Sequence, residues 1–219
     1  MPNFHDVLCE MRGMGIYMNQ KNMKNLDFIN LLNRLPAREY LLAVIAYGAA
    51  PTIREEKPSS LITFTKVGRN LYGLWNTFKS DVCRQLGLGC VQLGDRQDSV
   101  RVLFYKQSLL EECINRKDCR EFLNAAGYEQ AQTVEECINK LKARFEHVCP
   151  HEVGIFLGIP VEDVTGFINH KGENYLLCSY WKVYHEPEKA CSMFKSFDKA
   201  RNDIRESITK RNFDFRIPA

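Results

Sequence analysis

Extended segments rich in β-branched and aromatic residues are few in this chain and lie far apart, and that spacing constrains the fold more than any other feature. Residues 61–67, 90–93, 99–106 and 174–184 qualify, and helical patterns fill the intervals between them. A doubly wound parallel sheet needs more strands in regular alternation. The expected class is therefore α+β: a small mixed or antiparallel sheet of about four strands covered by helices, with a helix-rich second half.

The helical intervals are well punctuated. Leu26, Ile29, Leu32 and Leu35 share one face, and Pro36 closes that segment. Tyr40, Leu41, Val44 and Ile45 make a second stripe that runs out in a turn at Gly48 to Pro51. Leu71, Trp75, Phe78, Val82 and Leu86 recur every three or four residues until Gly87 ends the run. Residues 94–98 read as the turn of a hairpin. Residues 108–147 are helical in pattern, with Thr133 and Glu136 spaced as a capping box. Two short helices are expected over 151–157 and 160–169. A closing helix from Pro187 turns Ala190, Met193, Phe197, Ile204 and Ile208 inward. Residues 1–24, which hold five of the six methionines, read as a loosely held arm before a single domain over 25–219.

Composition narrows the class. An apolar fraction of 45% with 26% charged residues is globular, and a net charge of +3 calls for no polyanionic partner. The first residues lack a signal-peptide pattern and no apolar run is long enough to cross a bilayer, so a cytoplasmic location is expected. The nine cysteines include no C-x-x-C pair, and they read as thiols of a reducing compartment rather than a zinc ribbon or an oxidised scaffold. A phosphate-cradling glycine loop, a G-x-S-x-G elbow and an H-E-x-x-H helix are all missing.

The densest chemical signal runs from Cys149 to Pro160. Pro150 suits the first turn of a helix and makes Cys149 its capping residue, where the helix dipole favours thiolate. His147, His151 and Glu152 flank it as base or ligand. The candidates for catalysis are Cys149, His151 and Glu152, and those for a metal are Cys149, His151 and Cys178. A buried cysteine and a solvated histidine at an ordinary helix start is the competing reading. The same stretch has helix-turn-helix spacing, but Glu162 and Asp163 open the second helix, where carboxylates repel phosphate; nucleic acid is disfavoured. Read as one strand, 174–184 sends Leu177, Trp181 and Val183 one way and Cys178, Tyr180, Lys182 and Tyr184 the other. The second face can line a pocket for an anionic or aromatic ligand, or simply face solvent. Lys57 supplies a further cation before the first strand. Candidate ligand-binding residues are thus Lys57, Cys178, Tyr180 and Lys182.

Ala50-Pro51-Thr52, Lys57-Pro58-Ser59-Ser60-Leu61, the CPHEVGIFLGIPVEDVTGFINHKG stretch from Cys149 and the YWKVY run from Tyr180 together resemble an uncharacterised bacterial domain-of-unknown-function family, number 3793, met mostly in anaerobic Firmicutes. Ser179 departs from the glycine common in that family, and some relatives carry a cysteine near Ala49 and Ala50. The resemblance implies no established activity or cofactor. It points to an accessory protein of anaerobic redox or iron metabolism, with a flavodoxin-like redox protein or a small anionic ligand as partner. The alternative is a non-catalytic protein-interaction module built on the helix-turn-helix-like pair.

Overall fold

In the computed structural model, which describes residues 23–146 and 149–210, the strand at the centre of the sheet explains the rest. β3 (Ser99–Tyr105) pairs antiparallel with β1 (Ser59–Thr65) on one side and with β2 (Gly89–Arg96) on the other. Side chains alternate across a strand, so Val100, Val102 and Phe104 point one way with Ile62 and Phe64. Leu103 points the other way with Leu61, which sits opposite it in register. β2 slips register between Gln92 and Gly94, and Leu93 at the slip stays on the face of Val91 and Leu103. Each face thus needs its own cover of helices.

The first face to be covered takes α1 (Met23–Arg34), α2 (Ala37–Gly48), the one-turn α3 (Ala50–Ile53) and α4 (Val67–Leu86). α3 continues where a plain turn is expected from Gly48 to Pro51, because Pro51 is tolerated in the first turn of a helix. α4 begins irregularly, with Gly68 at φ 70° and Asn70 at φ 49°. It then buries Trp75, Val82 and Leu86 and stops at Gly87, whose φ of 58° suits glycine. Trp75 stacks on Phe64 at 5.2 Å and meets the edge of Phe104 at 5.5 Å. Three such rings, each contributing about 1.5–3 kcal/mol on burial, anchor these helices to the sheet.

The second face is covered by α5 (Gln107–Asn115), α6 (Lys117–Leu123), a π turn (Asn124–Tyr128), α7 (Val134–Phe145), α8 (Val153–Phe156) and α9 (Val161–Asn169). The helical stretch expected over 108–147 is therefore interrupted at Arg116 and again at Gly127, where φ is 91°. The capping box at Thr133 forms as its spacing requires, with Glu136 N donating to Thr133 Oγ1 at 3.2 Å and Thr133 N to Glu136 Oε2 at 2.9 Å. α10 (Pro187–Thr209) spans both layers: Phe194 and Phe197 join the second core, and Ala200, Ile204 and Ile208 join the first. The outcome is an α+β fold with a small antiparallel sheet between helical layers.

Several sequence expectations change. Residues 174–184 are a tight hairpin, β4 (Leu177–Cys178) and β5 (Lys182–Val183), because the chain turns back at 179–181. The simple two-face alternation expected for that segment fails with it. A disulfide joins Cys83 of α4 to Cys90 of β2, correcting the reading of every cysteine as a thiol. The reduced cysteines among the described residues are Cys113, Cys119, Cys137, Cys149 and Cys191. The expected arm lies outside the described residues up to position 22, and α1 begins at Met23. Among the described residues no helix is long and apolar enough to cross a membrane.

Candidate ligand cleft

α8 and α9 pack as the helix-turn-helix spacing predicts. Gly154 lies so close to Val164 that a Cβ there would stand 2.7 Å from its Cγ2, and Gly158 makes the turn at φ 76°. The second helix does not face outward, however. Asp163 in its first turn is 1% exposed and accepts from Trp181 Nε1 at 2.7 Å, Tyr184 N at 2.7 Å and His185 N at 2.9 Å. A carboxylate in a helix's first turn suits the dipole, and here it also fastens the β4–β5 hairpin onto α9. Tyr184 closes over Gly166, where a Cβ would come within 2.5 Å of the Tyr184 ring. The sequence shows Asp163 as a repulsive charge; its buried anchoring role depends on a hairpin 20 residues away that no local pattern announces.

This docking creates a cleft lined by His151, Ile159, Asp163, Phe167, Trp181 and Lys182, enclosing about 280 Å³ including space open to solvent. His151 lies 5.6 Å from the Phe167 ring. Burial pulls its imidazole pKa below the usual histidine value, and the adjacent Glu152 offsets part of that pull. A neutral ring is the form expected at pH 7. Lys182 donates from Nζ to Gly172 O at 2.9 Å, with the Tyr175 and Phe167 rings 5.2 and 5.9 Å away. The ammonium keeps further protons for an anion at the rim.

The other candidates separate from this cleft. Cys149 does not cap a helix: α8 starts at Val153 with Glu152 as its capping residue, so the dipole argument for a Cys149 thiolate lapses. Its side chain is half-buried and packs at the edge of the second core. Glu152 turns inward, 4% exposed at its side chain, where it pairs with Arg144 Nε of α7 and accepts from Tyr128 Oη at 3.3 Å. A carboxylate so engaged is a structural tie rather than a general base for the cleft. Cys178 pairs with Lys182 across the hairpin and is not among the reduced cysteines. His147 lies outside the described residues. Among the described residues, no three His, Cys, Asp or Glu side chains converge as metal ligands, so Cys149, His151 and Cys178 do not make a metal centre together.

Lys57 and Tyr180 meet elsewhere. Lys57 is 5% exposed, with Nζ 5.5 Å from the centre of the Phe197 ring. Tyr180 packs on the same ring at 5.2 Å, donates to Asp198 Oδ1 at 2.6 Å and accepts from Arg201 Nη1 at 3.0 Å. Nearby, Ser59 Oγ donates to Phe156 O at 2.6 Å and Thr52 shares a 2.8 Å hydrogen bond with Ser60. Gly158 packs against Pro58, where a Cβ would stand 2.6 Å from its Cδ. The separate sequence motifs thus meet at one joint between β1, α3, α8 and α10. Its polar side chains are consumed in holding the two layers together.

A family model described as a protein of unknown function, DUF3793, matches residues 45–214. No curated protein matches the chain. No solved structure matches it either.

Proposed function

Because the chain belongs to the DUF3793 family, which carries no assigned activity, we propose from geometry that it is a binding protein whose cleft between α8, α9 and the hairpin takes a small planar carboxylate. One observation carries the reading: His151 and Lys182, from distant segments, line the same cleft with the rings of Phe167 and Trp181. The ring of the ligand packs against the aromatic side chains, and its carboxylate accepts hydrogen bonds from the Lys182 ammonium and from the imidazole N–H. Both Asp163 oxygens and the Trp181 N–H are already paired within the hairpin contact, which leaves Lys182 as the donor this reading assigns to the anion. Among the described residues that line it, none is a nucleophile beside a base, so binding rather than turnover is the reading proposed here. A cytoplasmic location goes with it, favoured by the five reduced cysteines among the described residues and opposed by the Cys83–Cys90 bridge and by Cys178, which is also disulfide-bonded.

Calorimetric titration with benzoate, benzyl alcohol and inorganic phosphate tests this. Benzoate binding that weakens about tenfold in Lys182→Met, with benzyl alcohol and phosphate much poorer, is the expected result. Equal response to all three, or none to benzoate, would sink it.

A second reading has its own observation. Ile168 in the last turn of α9, and Tyr175 and Leu176 in the segment that leads from α9 to the hairpin, are apolar residues exposed at 39%, 45% and 64%. A protein partner that covers them while placing an acidic side chain in the cleft gives the interaction-module alternative. Binding of an acidic peptide, but not of benzoate, is its signature.

A further inference from the structure

We infer that Cys83 and Cys90 are a reversible dithiol–disulfide couple, a site where the folded chain exchanges electrons with small thiols and disulfides, and not a staple on which the fold depends. The site lies apart from the ligand cleft. Cys83 is in the last turn of α4 and Cys90 is the second residue of β2, both against the first core.

Noncovalent contacts hold the turn between the two cysteines without help from the bridge. Gly87 closes α4, with its N–H on Arg84 O at 3.3 Å and the Leu88 N–H on Cys83 O at 3.4 Å. Leu86 and Leu88, on either side of Gly87, are both buried in the first core. Gly89 and Cys90 pair with Tyr105 and Phe104 of β3, and the Tyr105 ring covers Gly89 so closely that a Cβ there would overlap it. Arg38 of α2 fastens the end of α4 by donating to Asp81 and Gln85, each at 2.6 Å. The backbone that sets the two Cα atoms 6.3 Å apart is thus fixed by contacts that remain when the S–S bond opens. The bridge spans only seven positions, and so short a loop takes less freedom from the unfolded chain than a long one does.

The couple also has a way in. β2 is an outer strand of the sheet and Cys90 is half-buried, whereas Cys83 is 9% exposed, so Cys90 is the sulfur that a small reagent reaches. Five other cysteines among the described residues are reduced, and in a setting that keeps thiols reduced a disulfide is typically one that cycles.

Reduction balances with a small thiol, R–SH, as electron donor. Its thiolate attacks Cys90 Sγ and the Cys83–Cys90 bond breaks. A Cys90–S–S–R mixed disulfide forms, and Cys83 leaves as thiolate and takes up a proton. A second R–S⁻ attacks the R sulfur of that mixed disulfide, releasing R–S–S–R and the Cys90 thiolate, which is protonated in turn. The bridge gains two electrons and two small thiols are oxidised; R–S–S–R closes it by the same steps reversed.

The test opens the full-length chain with dithiothreitol at pH 7, closes it with oxidised glutathione, and maps alkylated peptides by mass spectrometry, which separates this bridge from the disulfide of Cys178. The bridge is expected to open without denaturant and to re-form between the same two residues. Glutathione is expected to lodge on Cys90 in Cys83→Ala about tenfold faster than on Cys83 in Cys90→Ala. The double variant Cys83→Ala/Cys90→Ala, in which the Cys178 disulfide is left alone, is expected to keep its circular dichroism spectrum and to melt within about 10 °C of the wild type. The inference is overturned if the wild-type bridge stays closed until denaturant is added. It is equally overturned if the wild type loses its spectrum as this bridge opens while Cys178 is still bonded, a result that needs no variant to fold.

Discussion

Replacing Asp163 separates a docked hairpin from an incidental contact. In Asp163→Asn the oxygen that remains can still serve the amides of Tyr184 and His185, but the new amide group faces the indole N–H of Trp181. Trp181 is 3% exposed, so water cannot replace the lost acceptor. A hydrogen bond to a charged acceptor is worth about 1.5–3 kcal/mol, and the first-turn carboxylate adds about 0.3–1 kcal/mol from the helix dipole. The expected loss is about 2–4 kcal/mol, or roughly 5–15 °C in Tm for a chain of this size. Asp163→Ala strands all three donors and costs about 3–6 kcal/mol. Urea unfolding followed by circular dichroism gives the stabilities, and the Trp181 indole N–H resonance reports the local bond. A loss under about 1 kcal/mol with that resonance unmoved refutes the reasoning, because the hairpin would then be held by apolar packing alone.

Other consequences follow from the same geometry. Arg144→Ala leaves the buried Glu152 carboxylate without its cation and costs about 3–5 kcal/mol; Glu152→Gln leaves a half-exposed Arg144 that water can solvate and costs about 1–2 kcal/mol, an order that paired denaturation curves check. Since burial lowers the His151 pKa, the unfolded chain takes up this proton before the folded one as pH falls. The contribution is complete above about pH 6.5 and is lost as pH drops through the lower folded value, which an NMR titration of the His151 ring and stability at pH 7 and 5 measure together. Gly154→Ala forces a Cβ to 2.7 Å from Val164 and costs about 1–3 kcal/mol by thermal melting, while also narrowing the cleft that Gly154 lines.

Much of this fold is written locally. The stripe from Leu71 to Leu86 with its glycine stop, the Thr133 capping box, the 99–105 strand and the inward face of α10 all depend on neighbours within a few residues, and the chain folds them as patterned. What the pattern hides is set by distant partners. The segment 174–184 looks like one strand because its residues favour extension; Asp163 holds the amides of Tyr184 and His185 and makes it a hairpin. Glu152 looks like a site carboxylate until α7 brings Arg144 to it. Of the site, the proximity of His151 to Lys182 was implied by grouping the two motifs, whereas the walls supplied by Phe167 and Ile159 were not visible as such.

Intermolecular NOEs from the ring protons of bound benzoate probe the cleft most directly. Contacts to the side chains of Phe167, Trp181 and His151 that disappear in Lys182→Met are the predicted result. Contacts to other parts of the surface, or contacts that persist unchanged in that variant, contradict the account.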